Sequence, residues 1–436
     1  MHFDQILSAI DGFGKYQKIL YVWICLPQVL LAFHMMVSIF TGATPPFRCR
    51  ETSSSPGAGN QTLLLSDAFA GNLSLSEAHS SCFSSEALPL LEGDNGTERV
   101  PCGHGWVYSK ETFQSTTVTE WDLVCSRAGL NSLGSSVYMS GLLVGSVLFG
   151  AMADRYGRRF VLLLSIALQT VFGVAVAFAP NFPVYVILRF AVGTTISGVI
   201  INAFILGTEW TCTKRRMLAG ILTDYTFGLG YMLIAGVAYL IRDWRKLQLA
   251  ISAPGFLLIF YIRVLPQSAR WLLAKDRREE AIALLHKAAL VNGRVLPPAV
   301  QLYVSAQKSS EKSSGYYSCF TRSGTVFNLV RTPQMRKRSV ILFYLWFVNV
   351  LVYYGLSLGV SRLGTDLYLT QFVFGLVEIP ARSLVLVVLP FSRRLTQSGF
   401  LAVGGLACLL MLVVPAGMGG GGGGLILLFL EIMRIE

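Results

Sequence analysis

One apolar stretch of the sequence carries an acid and a base that could bind a charged solute. Residues 368–390 are long and apolar enough to cross a bilayer as one helix, yet Glu378 and Arg382 lie near their middle. Ionised side chains at that depth usually face a bundle interior or a wet cavity. Pro380 between them removes a backbone donor. We expect Arg382 to bind the carboxylate of a small anion; the alternative is a structural ion pair with Glu378.

Aromatic side chains in two other apolar runs could form a cage for a planar acid. Three of them recur at spacings of seven and eight within residues 340–359, near one face of a helix. The alternative for each is ordinary packing between spans. Asp224 lies in the fifth apolar run, where it could carry a proton or pair with a cation. Besides Arg382 and Glu378, the expected binding residues are Trp346, Asn349, Tyr353, Tyr354, Tyr225 and Phe227.

The sequence contains no arrangement of metal ligands, catalytic nucleophile or phosphate-binding loop. The glycine run at 419–424 lacks the Lys-Ser/Thr pair that follows a phosphate-binding loop. We therefore expect no cofactor, no metal and no enzymatic activity. A gradient or an exchange partner would have to supply the energy for moving a solute.

The composition indicates a polytopic membrane protein. Hydrophobic residues make up 53% of the 436 residues and charged ones only 14%, and the mean hydropathy is +0.56. The net charge of +12 comes from Lys and Arg in short loops between apolar runs, which is typical of cytoplasmic loops and not of a nucleic-acid surface. The basic loop 242–246 departs from this rule, because it falls on the expected outer side.

A long polar loop, 42–132, is predicted to lie outside the cell and to be glycosylated. Its acceptor sites are Asn60, Asn72 and Asn95. It also contains Cys49, Cys82, Cys102 and Cys125. Four cysteines in such a loop predict two disulfides in an oxidising compartment, with three connectivities possible.

The loop after the second apolar run reads G-x-x-x-D-R-x-G-R-R, from Gly150 to Arg159. Glycine suits a tight turn there, and the acid and arginines could latch neighbouring helix ends on the cytoplasmic face. A weaker copy, Phe391 to Arg394, follows the eighth run and indicates two related halves. The expected latch residues are Asp154, Arg155, Gly157, Arg158, Arg159, Glu209 and Arg270.

These motifs resemble those of a known family. The 150–159 loop is similar to the signature of the major facilitator superfamily, and Pro266 to Leu273 resembles the P-E-S-P-R-W motif of solute carrier family 22, with Gln267 in place of the acid. Residues 353–357 and 378–382 resemble its organic-anion members, which carry a cation at the position of Arg382. The resemblance implies an all-α bundle of twelve spans that alternates access around a central site. It implies a small organic anion such as nicotinate or urate as substrate, moved by uniport, in exchange for a counter-anion, or with a proton.

The expected organisation follows the twelve-span pattern but stops short of it. It comprises a cytoplasmic N-terminus 1–18, a six-helix half 19–265, a cytoplasmic linker 266–338 and an incomplete half 339–436. Nine spans and part of a tenth are present, so we expect a chain truncated after nine to ten spans. The expected location is the plasma membrane. Two alternatives stay open: an organic cation or zwitterion carrier of the same fold, and a non-transporting truncated or receptor-like membrane protein.

Overall fold

The computed structural model describes residues 3–50, 82, 102–296, 328–359, 366–388 and 390–413. Helices dominate these residues, and one short antiparallel ribbon accompanies them. The helices are α1 Phe3–Ala9, α2 Lys15–Thr41, α3 Thr117–Trp121, α4 Ala128–Tyr156, α5 Arg158–Ala177, α6 Phe182–Glu209, α7 Arg216–Leu240, α8 Trp244–Ser252, α9 Tyr261–Val264, α10 Ala269–Ala274, α11 Arg278–Val291, α12 Asn328–Arg331, α13 Pro333–Gly359, α14 Leu367–Val388 and α15 Arg393–Val413. The strands are β1 Phe47–Cys49 and β2 Trp106–Tyr108.

Seven segments of the described chain are helical, long and apolar enough to cross a membrane. They are Lys15–Thr41, Cys125–Tyr156, Arg158–Ala177, Phe182–Glu209, Thr213–Leu240, Trp244–Val264 and Leu367–Val388. The sixth is composite, because α8 and α9 are joined by the 3₁₀ stretch Ala253–Phe260. Two further helices, α13 and α15, occupy the positions of the predicted seventh and ninth spans. The first six segments, α2 and α4 to α9, are called the N-terminal bundle below.

Glycine sets the closest helix crossing in the N-terminal bundle. A Cβ on Gly141 or Gly145 of α4 would collide with the backbone oxygen of Phe190 or Thr194 on α6. Small residues allow membrane helices to approach until their backbones touch, and dispersion contacts then replace lipid contacts. Gly150, near the end of the same helix, faces open space. The glycines of α4 therefore serve packing only where α6 crosses.

α14 packs along α7, so the second part of the chain rests on the N-terminal bundle through these two helices. Gly375 lies against Met232, where a Cβ would meet the Met232 backbone nitrogen at 2.9 Å. Gly228 faces Glu378 across the same crossing. This close approach places the charged middle of α14 directly beside α7.

The predicted extracellular loop contains the small ribbon and two disulfides. β1 pairs antiparallel with β2, with Phe47 opposite Tyr108 and Cys49 opposite Trp106. The disulfides join Cys49 to Cys102 and Cys82 to Cys125, which selects one of the three open connectivities. The Tyr108 hydroxyl donates a hydrogen bond to Asp122 at 3.0 Å, and burial with this contact raises the pKa of Tyr108. Asn60, Asn72 and Asn95 lie outside the described residues.

The basic loop 242–246 has partners that account for its charge. The Arg245 guanidinium contacts both oxygens of Glu120, with Nε at 3.2 Å from each, and donates to the carbonyls of Ala177 and Ala179 near the end of α5. Arg242 donates to the Glu111 carbonyl at 2.8 Å. These arginines cap a helix end and bind loop oxygens. Nearby acceptors bind both guanidinium groups, so a basic loop here does not contradict the predicted orientation of the chain in the membrane.

Two helices begin within segments that were predicted to be cytoplasmic. α2 begins at Lys15, inside the predicted N-terminal segment, and α13 begins at Pro333, inside the predicted linker. Asn292, which follows α11, accepts a hydrogen bond from the Tyr16 backbone at 2.8 Å and donates to the Ile10 carbonyl at 2.7 Å. The first part of the linker is therefore bound to the start of α2.

Candidate functional site

A three-residue charge cluster lies at the contact between α7 and α14. Arg382 Nη2 is 3.3 Å from Glu378 Oε1, one helical turn earlier, and Arg382 Nη1 is 3.8 Å from Asp224 Oδ2 on α7. The Arg382 side chain is 16% exposed, that of Glu378 10% and that of Asp224 44%. These three residues are called the Arg382 cluster. Two carboxylates thus share one guanidinium, and the Asp224 side chain is the more exposed of the two.

Neighbouring polar side chains link the same two helices. The hydroxyls of Tyr225 and Ser383 are 2.7 Å apart, and the Tyr231 hydroxyl donates to Oε1 of Gln371. Glu378 Oε2 is buried and has no hydrogen-bond partner among the described residues. A buried carboxylate oxygen without a donor is costly. Hydrogen bonds between α7 and α14 therefore hold the cluster in place, although Glu378 Oε2 accepts no hydrogen bond within the described residues.

The structure does not join all the predicted binding residues to this cluster. Tyr225 lies beside it through Ser383, whereas Phe227 is half-buried and packs against the hydrophobic core. Trp346 is 57% exposed, and Asn349 is half-buried on the same helix. The side chains of Tyr353 and Tyr354 lie outside the part of the chain that is described.

A second ionic arrangement surrounds Arg158 at the start of α5. Its Nη1 is 2.8 Å from Asp154 Oδ1 and its Nε is 3.7 Å from Glu209 Oε1, and it also donates to the Ala153 carbonyl at 2.7 Å. The Asp154 side chain is 76% exposed, whereas those of Arg158 and Glu209 are 13% and 14% exposed. The buried contact with Glu209 therefore joins the α4–α5 loop to the end of α6.

Gln267 completes this arrangement without a charge. Its Oε1 accepts hydrogen bonds from the backbone nitrogens of Arg159 at 3.1 Å and Ser268 at 3.3 Å. Its carbonyl accepts from the Trp210 indole at 3.2 Å. The residues Asp154, Gly157, Arg158, Arg159, Glu209 and Gln267 are called the Arg158 cluster. An acid is not needed to satisfy the two backbone donors, because the amide oxygen accepts both.

Gly157 allows the turn between α4 and α5 to form against α10. Its φ is +100°, which disfavours other residues, and a Cβ would collide with the Gln267 amide and lie 3.2 Å from the Trp271 ring. The Trp271 indole donates to the Asp154 carbonyl at 3.1 Å. The loop and the start of α10 therefore form one packed unit.

Two predicted latch residues take no part in it. Arg155 is exposed and lies over the Tyr156 ring, 5.4 Å from its centre, and Arg270 is also exposed. Neither forms an ion pair within the described residues. The sequence interpretation had also missed Trp210, Trp271, Ser383 and Gln371. Gln371 carried a signal, because it lies seven residues before Glu378 and so on the same helix face.

Comparison with known proteins defines the class of this molecule. Residues 104–427 match the family described as sugar (and other) transporter. The fold is similar to the xylose transporter XylE from E. coli in a partially occluded inward-open conformation, with a TM-score of 0.59, 16% identity, and 96% of this chain and 84% of that one covered. XylE with bound 6-bromo-6-deoxy-D-glucose gives a TM-score of 0.60 at 17% identity, covering 96% and 79%. The protein is an all-α, multi-pass membrane transporter of the major facilitator superfamily, as predicted.

More similar relatives define the family within that class. The chain is 38% identical to human solute carrier family 22 member 13, over 95% of this chain and 74% of the relative. It is 36% identical to the organic cation transporter protein of Drosophila melanogaster, over 96% and 76%. For bovine solute carrier family 22 member 6 the identity is 37%, over 95% and 76%. The chain belongs to solute carrier family 22, which confirms the predicted membership and leaves the charge of the solute open.

Proposed function

We propose that this protein carries small organic anions of the nicotinate or urate type by alternating access, and that Arg382 contacts their carboxylate. The observation that carries the proposal is the position of the Arg382 guanidinium between α7 and α14, largely buried and close to two carboxylates. A guanidinium can bind a carboxylate through two parallel hydrogen bonds, which are strong where water is scarce. A carboxylate of the solute would replace one that is already present.

Asp224 is the carboxylate that the solute would replace first. It is farther from Arg382 than Glu378 is, at 3.8 Å against 3.3 Å, and its side chain is about four times as exposed, at 44% against 10%. Displacing Asp224 therefore breaks the longer and more accessible of the two ion pairs, while Glu378 keeps Arg382 oriented.

The coupling partner would be a counter-anion or a proton. The three residues of the Arg382 cluster carry a net charge of −1 when all are ionised, so an entering anion would bring the total to −2. Like charges in a low-dielectric site repel strongly. A proton taken up by a carboxylate, or an anion leaving by exchange, would relieve this repulsion.

A zwitterion or cation carrier is the second candidate, and the same surplus carboxylate favours it. A zwitterion could place its carboxylate on Arg382 and its cationic group on the displaced Asp224, which keeps the cluster's charge unchanged. A relative named as an organic cation transporter supports testing this class. The proposed cellular location of either carrier is the plasma membrane.

Uptake of labelled solutes into cells that express the chain tests both proposals. Nicotinate and urate represent anions, and betaine represents a zwitterion. Arg382→Ala should abolish anion uptake at unchanged surface expression, whereas Arg263→Ala, an exposed arginine of α9, should leave it intact. Betaine uptake without anion uptake would favour the second candidate. If neither solute class enters, the chain is a non-transporting member of the family and the proposal fails.

A further inference from the structure

The first turn of α14 inserts a tyrosine between aromatic side chains of the N-terminal bundle and its long loop. The Tyr368 ring stacks on Phe40 of α2, with ring centres 5.6 Å apart and planes 14° from parallel. It also contacts the ring of Phe113 in the loop at 5.8 Å, and that of Tyr239 on α7 nearly edge-on at 5.6 Å. Its hydroxyl donates a hydrogen bond to the Thr112 carbonyl at 3.3 Å. Phe40, Thr112, Phe113 and Tyr239 are called the Tyr368 socket.

The contact between Tyr368 and this socket closes the loop end of the junction between α14 and the bundle. Tyr368 is 8% exposed, Phe40 2% and Phe113 8%. Stacked and edge-on aromatic pairs attract each other beyond the effect of the area that they bury. Solvent on the loop side therefore has little access to the junction while Tyr368 occupies the socket.

The socket is fixed to the first part of the chain. Beside Phe113, the backbone nitrogens of Gln114 and Ser115 donate to the Arg242 carbonyl at 3.1 and 3.4 Å. Beside Phe40, the Thr117 hydroxyl donates to the Thr41 carbonyl at 3.0 Å, which joins the loop to the end of α2. These bonds lie between segments of the first part, so the socket should move with the N-terminal bundle.

α14 is held much more closely one step further along. At Gly375, seven residues after Tyr368, a Cβ would lie 2.9 Å from the Met232 nitrogen and 3.1 Å from the Gly228 oxygen of α7. The two backbones therefore touch, as small residues permit in membrane proteins. Tyr368, in contrast, is held by ring contacts and a hydrogen bond, which can break and re-form without separating the backbones at Gly375.

The crossing at Gly375 lies midway between the socket and the solute site. Tyr368 is seven residues before it and Arg382 seven residues after it, so each is about 10 Å away along the helix axis. A swing of α14 about this crossing would withdraw Tyr368 from its socket. The space between α14 and the bundle would then open from the loop side toward the Arg382 cluster.

We propose that Tyr368 and its socket form a gate on the loop side of the solute site, and that the gate opens when α14 swings about the Gly375 crossing. The proposal rests on the proposed carrier function, because alternating access requires the site to open and close on each side. The gate is closed while Tyr368 occupies the socket. Its ring contacts set how often it opens.

Distances between spin labels test the gate in the purified full chain, in lipid nanodiscs without solute. The labels replace exposed Lys110 of the loop and exposed Leu369 of α14. A shorter distance is expected for the closed gate and a longer one for the open gate. Tyr368→Ala removes the ring contacts and should raise the ratio of long to short distances by about tenfold. Tyr368→Phe loses only the hydrogen bond and should raise it by about threefold. The labels require a background in which the four cysteines outside the loop are alanine: Cys25, Cys212, Cys319 and Cys408.

One variant and one label pair control for general disturbance of the structure. Phe178→Ala removes an aromatic side chain that is 68% exposed after α5, and it should leave the ratio unchanged. Labels at Lys110 and Lys246, both exposed in the first part, should keep one distance in every variant. An unchanged Lys110–Leu369 ratio in Tyr368→Ala would overturn the gate. So would a changed Lys110–Lys246 distance, since the loop itself would then have moved.

A third label pair tests the swing. Leu229 on α7 and Leu376 on α14 are exposed and adjoin the Gly375 crossing. Their distance should stay the same in Tyr368→Ala, while the Lys110–Leu369 distance lengthens. A longer distance in both pairs would overturn the swing, since α14 would then separate from α7 along its length.

Cross-linking in cells separates the gate from the proposed function. Phe113→Cys and Tyr368→Cys are combined and joined by a short bis-methanethiosulfonate reagent applied outside. The treatment should stop uptake of nicotinate or urate in the double variant and leave each single variant as it was before treatment. Uptake that persists in cross-linked protein would overturn the gate. Absence of uptake before any treatment contradicts the carrier function instead, and the label distances then still decide whether the gate opens.

Discussion

At the start of α5, Arg158 contacts the carboxylate of Glu209 and the carbonyl of Ala153, while Gln267 accepts two backbone hydrogen bonds beside it. In the middle of α14, Arg382 has two carboxylates at 3.3 and 3.8 Å, and one oxygen of Glu378 lacks a donor. The Arg158 cluster combines charges with backbone groups and tryptophans in one packed unit. The Arg382 cluster joins two helices through charges that a solute could replace.

The difference indicates that the Arg158 cluster stabilises the fold, whereas a carboxylate of the Arg382 cluster can be replaced by a solute. Backbone hydrogen bonds and a glycine with positive φ are available only in one folded arrangement, so substitutions in the Arg158 cluster should act on stability. The Arg382 cluster has a surplus carboxylate and a partly exposed partner, so substitutions there should act on solute binding. Four substitutions test this division, from the largest expected effect to the smallest.

Gly157→Val should cause the largest loss, because valine at φ +100° is strained and its side chain would collide with Gln267 and Trp271. We expect a loss of more than about 3 kcal/mol and little surface expression. The measurement is the unfolding temperature of purified protein, with surface biotinylation in cells. Gly150→Ala is the control, since Gly150 is helical and faces open space, and it should be neutral or slightly stabilising. Equal behaviour of the two variants would contradict the tight-turn interpretation.

Arg158→Ala should cost about 2 to 3 kcal/mol, because Glu209 would be left buried without its cation. Thermal unfolding measures the loss, and a double-mutant cycle with Glu209→Gln isolates the pair. Arg155→Ala removes an exposed arginine of the same loop and should change stability little. If the stability losses of Arg158→Ala and Glu209→Gln simply add in the double variant, the two side chains do not interact.

Asp224→Asn should leave stability nearly unchanged and lower the KM for an anionic solute by about fivefold, because it removes a partly exposed competitor for Arg382. Concentration-dependent uptake gives KM, and surface expression serves as the control. Glu378→Gln is the comparison, since Glu378 is more buried and closer, and it should lower stability as well. A raised KM in Asp224→Asn would mean that Asp224 holds the solute itself, as expected for a zwitterion.

Gln267→Glu should have the smallest effect, within about 1 kcal/mol, because the amide oxygen already accepts from Arg159 and Ser268. Gln267→Ala leaves both backbone donors without an acceptor and should cost more, about 1 to 2 kcal/mol. The unfolding temperatures of Gln267→Glu and Gln267→Ala, each compared with that of the wild type, measure the two effects. A large gain from glutamate would show that the charge matters more than the hydrogen bonds.

Much of this molecule could be predicted from local sequence, and the reasons are physical. Membrane spans need about twenty apolar residues, so helices α2 and α4 to α7 were predictable from hydropathy. The G-x-x-x-D-R-x-G-R-R loop indicated a tight turn at Gly157, where the backbone has positive φ. Burial of Glu378 and Arg382 followed from the cost of charge in lipid.

Contacts between distant segments could not be predicted in the same way. The pairing of Cys49 with Cys102 depends on which loop segments meet around the ribbon. The partner of Arg245 is Glu120, more than a hundred residues earlier, and no periodicity relates the two. For Trp346, helix periodicity assigned a face without determining what that face contacts, and its side chain is 57% exposed.

The sequence by itself determined that this chain crosses the membrane repeatedly, belongs to a transporter family and carries an acid and a base within one apolar span. Those properties depend on composition, motifs and local spacing. Only the tertiary structure decided that Asp224 joins Arg382 and that Gln267 replaces an acid by accepting backbone hydrogen bonds. Each of these depends on which helices pack together, and helix packing is set by side-chain shape across the whole bundle.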